Sequence, residues 1–252
     1  MQSDIVPVLL SSIEKGFKTR IETDRRILRV NGRIRDGTAT LIDAHTYAER
    51  LGIDLSNALK AEITADVLPN GELYYNIAER IIFPTLETNY DMVNETARDI
   101  QRIVDRKNRI GLEAVQADFP DGRIRGLIDK LSDPEKALTD RLKWLGEPIV
   151  NNSEAFFDDY VDTNARTRSE VGLRATITRI VMPGCCKWCE EMEGTYEYGK
   201  EPKDIYRRHE SCRCDVTYQV ERTSQNVWTK QKWSTDDELE ARRNAPAIRI
   251  RG

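Results

Sequence analysis

The chain has 252 residues, enough for one large domain or two ordinary ones with ample material for a core. Charged residues make up 33% and the net charge is −4, which argues against a surface that coats nucleic acid throughout and leaves room only for a local basic patch. The longest apolar runs, "IVPVLL" and "AERIIFPTL", are far too short to cross a bilayer, and "MQSDIVPVLLSSIEKG" lacks the basic start and small-residue cleavage site of a signal peptide. A soluble chain made in a reducing cytosol, with no membrane partner, is therefore expected.

Helix-period patterns dominate the first two thirds. They predict helices over 5–28, 39–51, 55–65, 71–82, 86–107, 124–131, 134–145 and 153–170. Asp54, Asp133 and Ser153 stand where helix starts want a capping side chain, with Pro134 at a first helical position. The clearest run carries Leu86, Tyr90, Val93, Ala97, Ile100 and Val104 at steps of four and three, on one stripe of a long helix. Asp91, Asn94, Glu95, Arg98, Asp99, Arg102 and Asp105 fall on the other faces, and Pro84 sits just ahead, near a helix start or at a kink. Such a stripe packs within the chain or against a partner helix. Breakers fall at "VNGRIRDGT", "LPNG", "FPDG" and "LGEP". His45, in "LIDAHTYAER", reads as a solvated or interhelical residue.

The character changes near residue 172. "RATITRIVM" and "CDVTYQVE" alternate with β-branched residues and predict strands over 174–182 and 214–221. Pro183, Gly184, Gly194, Gly199 and Pro202 lie between them. The expected fold is mainly α, a multi-helix body over 1–171 followed by a small α+β strand-and-loop module over 172–233. A charged, mobile tail over 234–252 completes it.

All five cysteines lie between residues 185 and 214, together with one of the two histidines. In a reducing compartment such a cluster is more often a metal site than a disulfide knot, and the odd count agrees. Zinc takes thiolate sulfur and imidazole nitrogen tetrahedrally, and two ligands in one tight turn reach a single ion. Cys186-x-x-Cys189 offers one pair and His209-x-x-Cys212 a second. Cys186, Cys189, His209 and Cys212 are thus the expected ligands of a structural zinc, with Cys214 as the substitute for His209 and Cys185 as a bystander. A module with few large apolar side chains needs such a cross-link. Buried reduced cysteines without metal, or a disulfide such as Cys189–Cys212, are the other readings.

A catalytic zinc would keep one position for water and a carboxylate or histidine nearby. Glu190, Glu191 and Glu210 are adjacent. A nucleoside deaminase, however, wants H-x-E upstream of P-C-x-x-C, whereas in His209-Glu210-Ser211 the glutamate comes one place early and after the cysteine pair. An HNH-type nuclease would need further histidines, and only the distant His45 remains. No catalytic residue is expected.

The stretch from "DDYVDTNARTRSEVG" to "QNVWTKQKW" resembles the C-terminal module of tailed-phage minor head proteins, the head-morphogenesis family related to the F protein of phage Mu, in its Gram-positive phage or prophage form. The matching pieces are C-x-x-C-x-x-x-x-G from Cys186 to Gly194, H-x-x-C-R-C from His209 to Cys214, and "QNVWTKQKW". The resemblance implies a low-copy virion component, made in the bacterial cytoplasm and assembled inside the phage head. Its partners would be the portal protein, other head or scaffold proteins, and packaged DNA during packaging or ejection. Trp188, Tyr196, Tyr198, Tyr206, Trp228 and Trp233 supply flat apolar area for packing or for a partner. Arg207, Arg208 and the terminal "ARRNAPAIRIRG" are either phosphate contacts or solvated charges. The rival readings are a zinc-dependent nuclease or deaminase-like enzyme and a zinc-finger DNA-binding module.

Overall fold

A computed structural model describes residues 4–220, together with the backbone of residues 221, 224–225 and 232–233. The 234–252 tail, Trp228 and the Trp233 side chain lie outside the described residues. The chain is mainly helical with a small antiparallel sheet near its C-terminal end, as the sequence patterns predict.

Helix α1 (Val6–Thr23) ends where the Asp24 carboxylate accepts from the backbone N–H of Arg26 and Ile27 and so caps α2 (Arg25–Arg35). The single helix expected over 5–28 is therefore two. Asp24 also pairs with Arg50 at 2.6 Å, fixing the corner against α3 (Leu41–Glu62).

Helix α3 starts on a capping box between Thr40 and Asp43 and runs unbroken through the expected boundary at 51–55. Asp54 is not a cap but an interior residue, 6% exposed, with Oδ2 lacking a partner. Burial pushes its carboxyl up to about 6. No break occurs here because Gly52 serves packing rather than termination. A Cβ there would lie 2.8 Å from both Ser153 Cβ and Val150 Cα of α7 (Glu147–Glu170). The seam is stitched by Ser153 Oγ donating to Ala48 O (2.6 Å) and Ser56 Oγ to Leu145 O (2.7 Å). Ser153 is thus mid-helix, and α7 begins six residues earlier with Pro148 in its first turn.

Helix α4 (Tyr75–Lys107) likewise fuses two expected helices, with Pro84 inside it. The stripe of Leu86, Tyr90, Val93, Ala97 and Ile100 is buried as expected, and packs within the chain. Asn94 and Asp105, expected on the outer faces, are buried too. Asn94 donates to Tyr90 O, and Asp105 pairs at 2.7 Å with the fully buried Arg168 of α7. Helix α5 (Asp121–Leu131) buries Ile124, Leu127, Ile128 and Leu131. The helix expected over 134–145 reduces to α6 (Leu138–Arg141) and a 3-10 turn, Leu142–Leu145, because Asp133 caps a turn by accepting from Glu135 N at 3.1 Å.

Strand β1 (Arg174–Ile180) is the centre of the sheet, flanked antiparallel by β2 (Gly194–Glu197) and β3 (Asp215–Glu221). Between β1 and β2 lies the short α8 (Lys187–Glu191). Ser224–Gln225 (β4) pairs with Lys232–Trp233 (β5). Ala175, Ile177, Val216 and Tyr218 join the same apolar cluster as the helices, and Tyr218 Oη donates to Gln101 of α4 at 2.8 Å. The strands thus sit on the helical body rather than beside it.

Candidate metal centre

Two turns bring the cysteines and His209 together. Gly184, with φ +81, turns the chain after β1, and Cys186 becomes the N-cap of α8, whose first turn carries Cys189 inward. The second turn runs through Ser211, which holds a left-handed φ of 58, and closes when Cys212 N donates to His209 O at 3.2 Å. Cys189, Cys212 and Cys214 are at most 1% exposed and form their own buried cluster under Trp188.

The ligand atoms fall into two groups, Cys186–Cys189–His209 and Cys189–Cys212–Cys214, each with all its atoms within 4.8 Å of one another. His209 Nε2 lies 3.3 Å from Cys186 Sγ and 3.1 Å from Cys189 Sγ, and Cys189 Sγ lies 3.9 Å from Cys212 Sγ. A tetrahedral zinc separates its ligand atoms by roughly 3.3–3.8 Å, close to these values. The five residues singled out by spacing thus fall in two overlapping groups of three joined at Cys189, each of which could hold a metal ion, and His209 and Cys212 do not share a group. Cys185 belongs to neither group.

The histidine is oriented for the purpose. His209 Nδ1 lies 2.7 Å from the backbone oxygen of Glu210, an atom that only accepts. Nδ1 therefore carries the ring proton, and Nε2 turns its lone pair toward two sulfurs, the arrangement in which an outer hydrogen bond fixes a ligating imidazole. The Cys189 backbone N–H holds the Cys186 thiol below its ordinary value, while burial pushes Cys189 above its own. A coordinated metal overrides that second effect, because a ligating thiol is deprotonated outright.

A buried charge network fastens this centre to α3 and α7. Arg208, read from the sequence as a phosphate contact or a solvated charge, is neither. Its side chain is 4% exposed and grips Asp158 of α7 in a two-pronged pair at 2.5 and 2.8 Å. Although burial opposes it, the Asp158 and Glu154 carboxylates hold Arg208 above its ordinary value. Arg208 Nη2 also donates to His45 Nε2 at 3.0 Å, and His45 Nδ1 in turn meets Asp215 at 2.5 Å. His45 is thus a buried bridge between α3 and β3. Glu154, fully buried, faces Arg208, Arg213 and His45 at 3.5–3.7 Å, and its burial raises the carboxyl to about 7. Arg207 stays exposed beside Asp204.

Sequence spacing missed these bridging partners, because no short-range pattern links α3, α7 and β3. It also missed Arg179, which occupies an inward position of β1 in register with Val216. That alternation was the one available signal. Tyr196, Tyr198 and Tyr206 pack against the main core and Trp188 against the sulfurs, so these rings serve the fold. A cleft of about 930 Å³ opens beside the centre, bordered by Lys60, Trp144, Asn151, His209 and Glu210. Among the described residues no helix is long and apolar enough to cross a membrane. In comparisons with known proteins, the chain matches no family model, no curated protein and no solved structure.

Proposed function

We propose that the chain is a minor head protein of a tailed phage, a low-copy structural component that works beside the portal and carries a zinc-stapled module. The placement in the phage head rests on the resemblance of the 158–233 stretch, carried by the pieces at Cys186–Gly194, His209–Cys214 and Gln225–Trp233. The structural role of the metal is carried by one observation, the inward convergence of His209 Nε2 and the cysteine sulfurs while Nδ1 is tied to backbone. Zinc is the metal favoured by a donor set of thiolates and imidazole. Once bound it supplies a cross-link between the β1–α8 turn and the 209–214 loop. The residues around it then hold that loop on α7, through Arg208–Asp158 and through Asn151, whose Nδ2 donates to His209 O.

The reading is tested by mass spectrometry of purified virions and by binding to isolated portal. A few copies per particle and direct portal binding are expected. Absence from the particle together with no portal binding sinks the placement.

The cleft gives the enzyme reading one specific point in its favour, because the exposed Glu210 stands at its edge beside His209. DNA cleavage or deamination by the zinc-loaded chain that disappears in Glu210→Gln would support that reading. With His209 engaged at both ring nitrogens and His45 buried among Asp215, Glu154 and Arg208, neither histidine is free for proton transfer in the cleft.

A further inference from the structure

Arg179 is 1% exposed and stands where the alternation of β1 calls for an apolar side chain, after Ala175 and Ile177. The other deeply buried arginines each have a carboxylate, Arg141 with Glu72, Arg168 with Asp105 and Arg208 with Asp158. Among the described residues Arg179 has none. Its Nη1 donates to the backbone oxygens of Ile205 and Arg207, which carry no net charge. Its Nη2 points elsewhere, to Cys189 Sγ at 3.6 Å and Cys212 Sγ at 3.5 Å. The guanidinium carbon sits 5.4 Å from the centroid of the Trp188 ring, which closes that side to water.

A guanidinium stays protonated in proteins, and leaving one buried without an opposite charge is costly. The two sulfurs are the groups in reach that can carry that charge. Cys189 is common to both ligand groups, Cys212 belongs to the second, and both sulfurs are in either four-ligand set expected from the spacing, whether His209 or Cys214 completes it. A divalent ion held by three thiolates and a neutral imidazole keeps one surplus negative charge, and one held by four thiolates keeps two. A fixed cation against the sulfurs offsets that surplus.

We propose that Arg179 is the built-in counter-charge of the metal centre, a positioning residue that raises the affinity of a thiolate-rich site for a soft divalent ion. This rests on the metal reading given above and goes beyond it, assigning the charge state of the occupied centre and the residue that balances it. Arg179 is not a ligand and does not change how many thiolates bind. It stabilises the occupied state and, through Nη1, holds the 205–207 loop in place.

The test uses the full chain, with zinc affinity measured by competition against a chromogenic chelator and thiolate number read from the sulfur-to-cobalt charge-transfer band of the cobalt(II) form. Partners of this kind are worth roughly 10–100-fold in metal affinity. Arg179→Gln, which keeps hydrogen-bonding capacity without charge, is expected to weaken zinc by that factor with the charge-transfer intensity per bound cobalt unchanged. Arg179→Lys is expected to stay within a few-fold of the native chain. Native zinc affinity in a folded Arg179→Gln overturns the proposal, even if that variant melts earlier, because a purely structural arginine would behave so. Should Arg179→Gln fail to fold, Arg179→Lys decides. Retained affinity supports the counter-charge, and a folded lysine variant weakened by ten-fold or more removes it. A native chain that binds neither zinc nor cobalt fails at an earlier step, the metal reading itself, and is recognised before any variant is made.

Discussion

Cys189 is the sulfur shared by both ligand groups and is also touched by Arg179, whereas Cys185, in the turn that Gly184 opens, belongs to neither group. Replacing Cys189 or Cys212 with serine is therefore expected to abolish stoichiometric zinc binding, while Cys185→Ser leaves one zinc per chain by native mass spectrometry. Zinc lost equally in all three variants would contradict this division into ligands and bystander.

Glu154 gives a prediction of a different kind. Its carboxyl, raised by burial from 4.5 to about 7, binds a proton in the folded chain that the unfolded chain has already lost across that interval. Its contribution is fully present below about pH 4.5 and is lost as pH rises through about 7, a fall of about 3 kcal/mol at most. Glu154→Gln lacks this titration. Denaturation midpoints from pH 5 to 8 should fall more steeply for the native chain than for the variant, and parallel curves would refute the assignment.

Among the elements, the α3–α7 seam is the most demanding. A methyl group at Gly52 would collide with backbone as well as side chain, at 2.8 Å from Val150 Cα and 3.1 Å from Val150 O, so one helix has to move. Gly52→Ala is expected to cost about 1–3 kcal/mol, although alanine is the better helix former in isolation. Urea unfolding of the two chains measures it, and a stabilised variant would mean that the seam is looser than its geometry. The same residue shows why element boundaries were hard to read. Gly52, Asp54 and Pro84 carry local signals for a break, yet each lies inside a continuous helix because burial against neighbouring helices outweighs a local preference of a few kcal/mol at most. The stripe from Leu86 to Ile100 was readable for the opposite reason, since its period states directly which side faces the core.

Across the molecule, the strands and the helices share one apolar cluster, and the Arg208–Asp158, His45–Asp215 and Arg213–Glu147 contacts cross between the helices and the C-terminal strand-and-loop region. Calorimetry should accordingly show one cooperative transition for helices and strands together. Zinc at about a hundred-fold excess over its dissociation constant should raise stability by about 2.7 kcal/mol if the unfolded chain does not bind it. A separate early transition, sensitive to chelator while the helices stay folded, would mean that the strands unfold as an independent unit.

The helical class, the long apolar stripe, both principal strands and the five metal-binding candidates follow from period and spacing, which are local properties of the chain. The merging of expected helices, the burial of Asp105, Arg168 and Arg208, the bridge at His45 and the setting of Arg179 against two sulfurs do not. Each depends on groups far apart in sequence meeting in a low-dielectric interior, where a charge is tolerated only beside its opposite, and no local pattern encodes which partner the fold will bring.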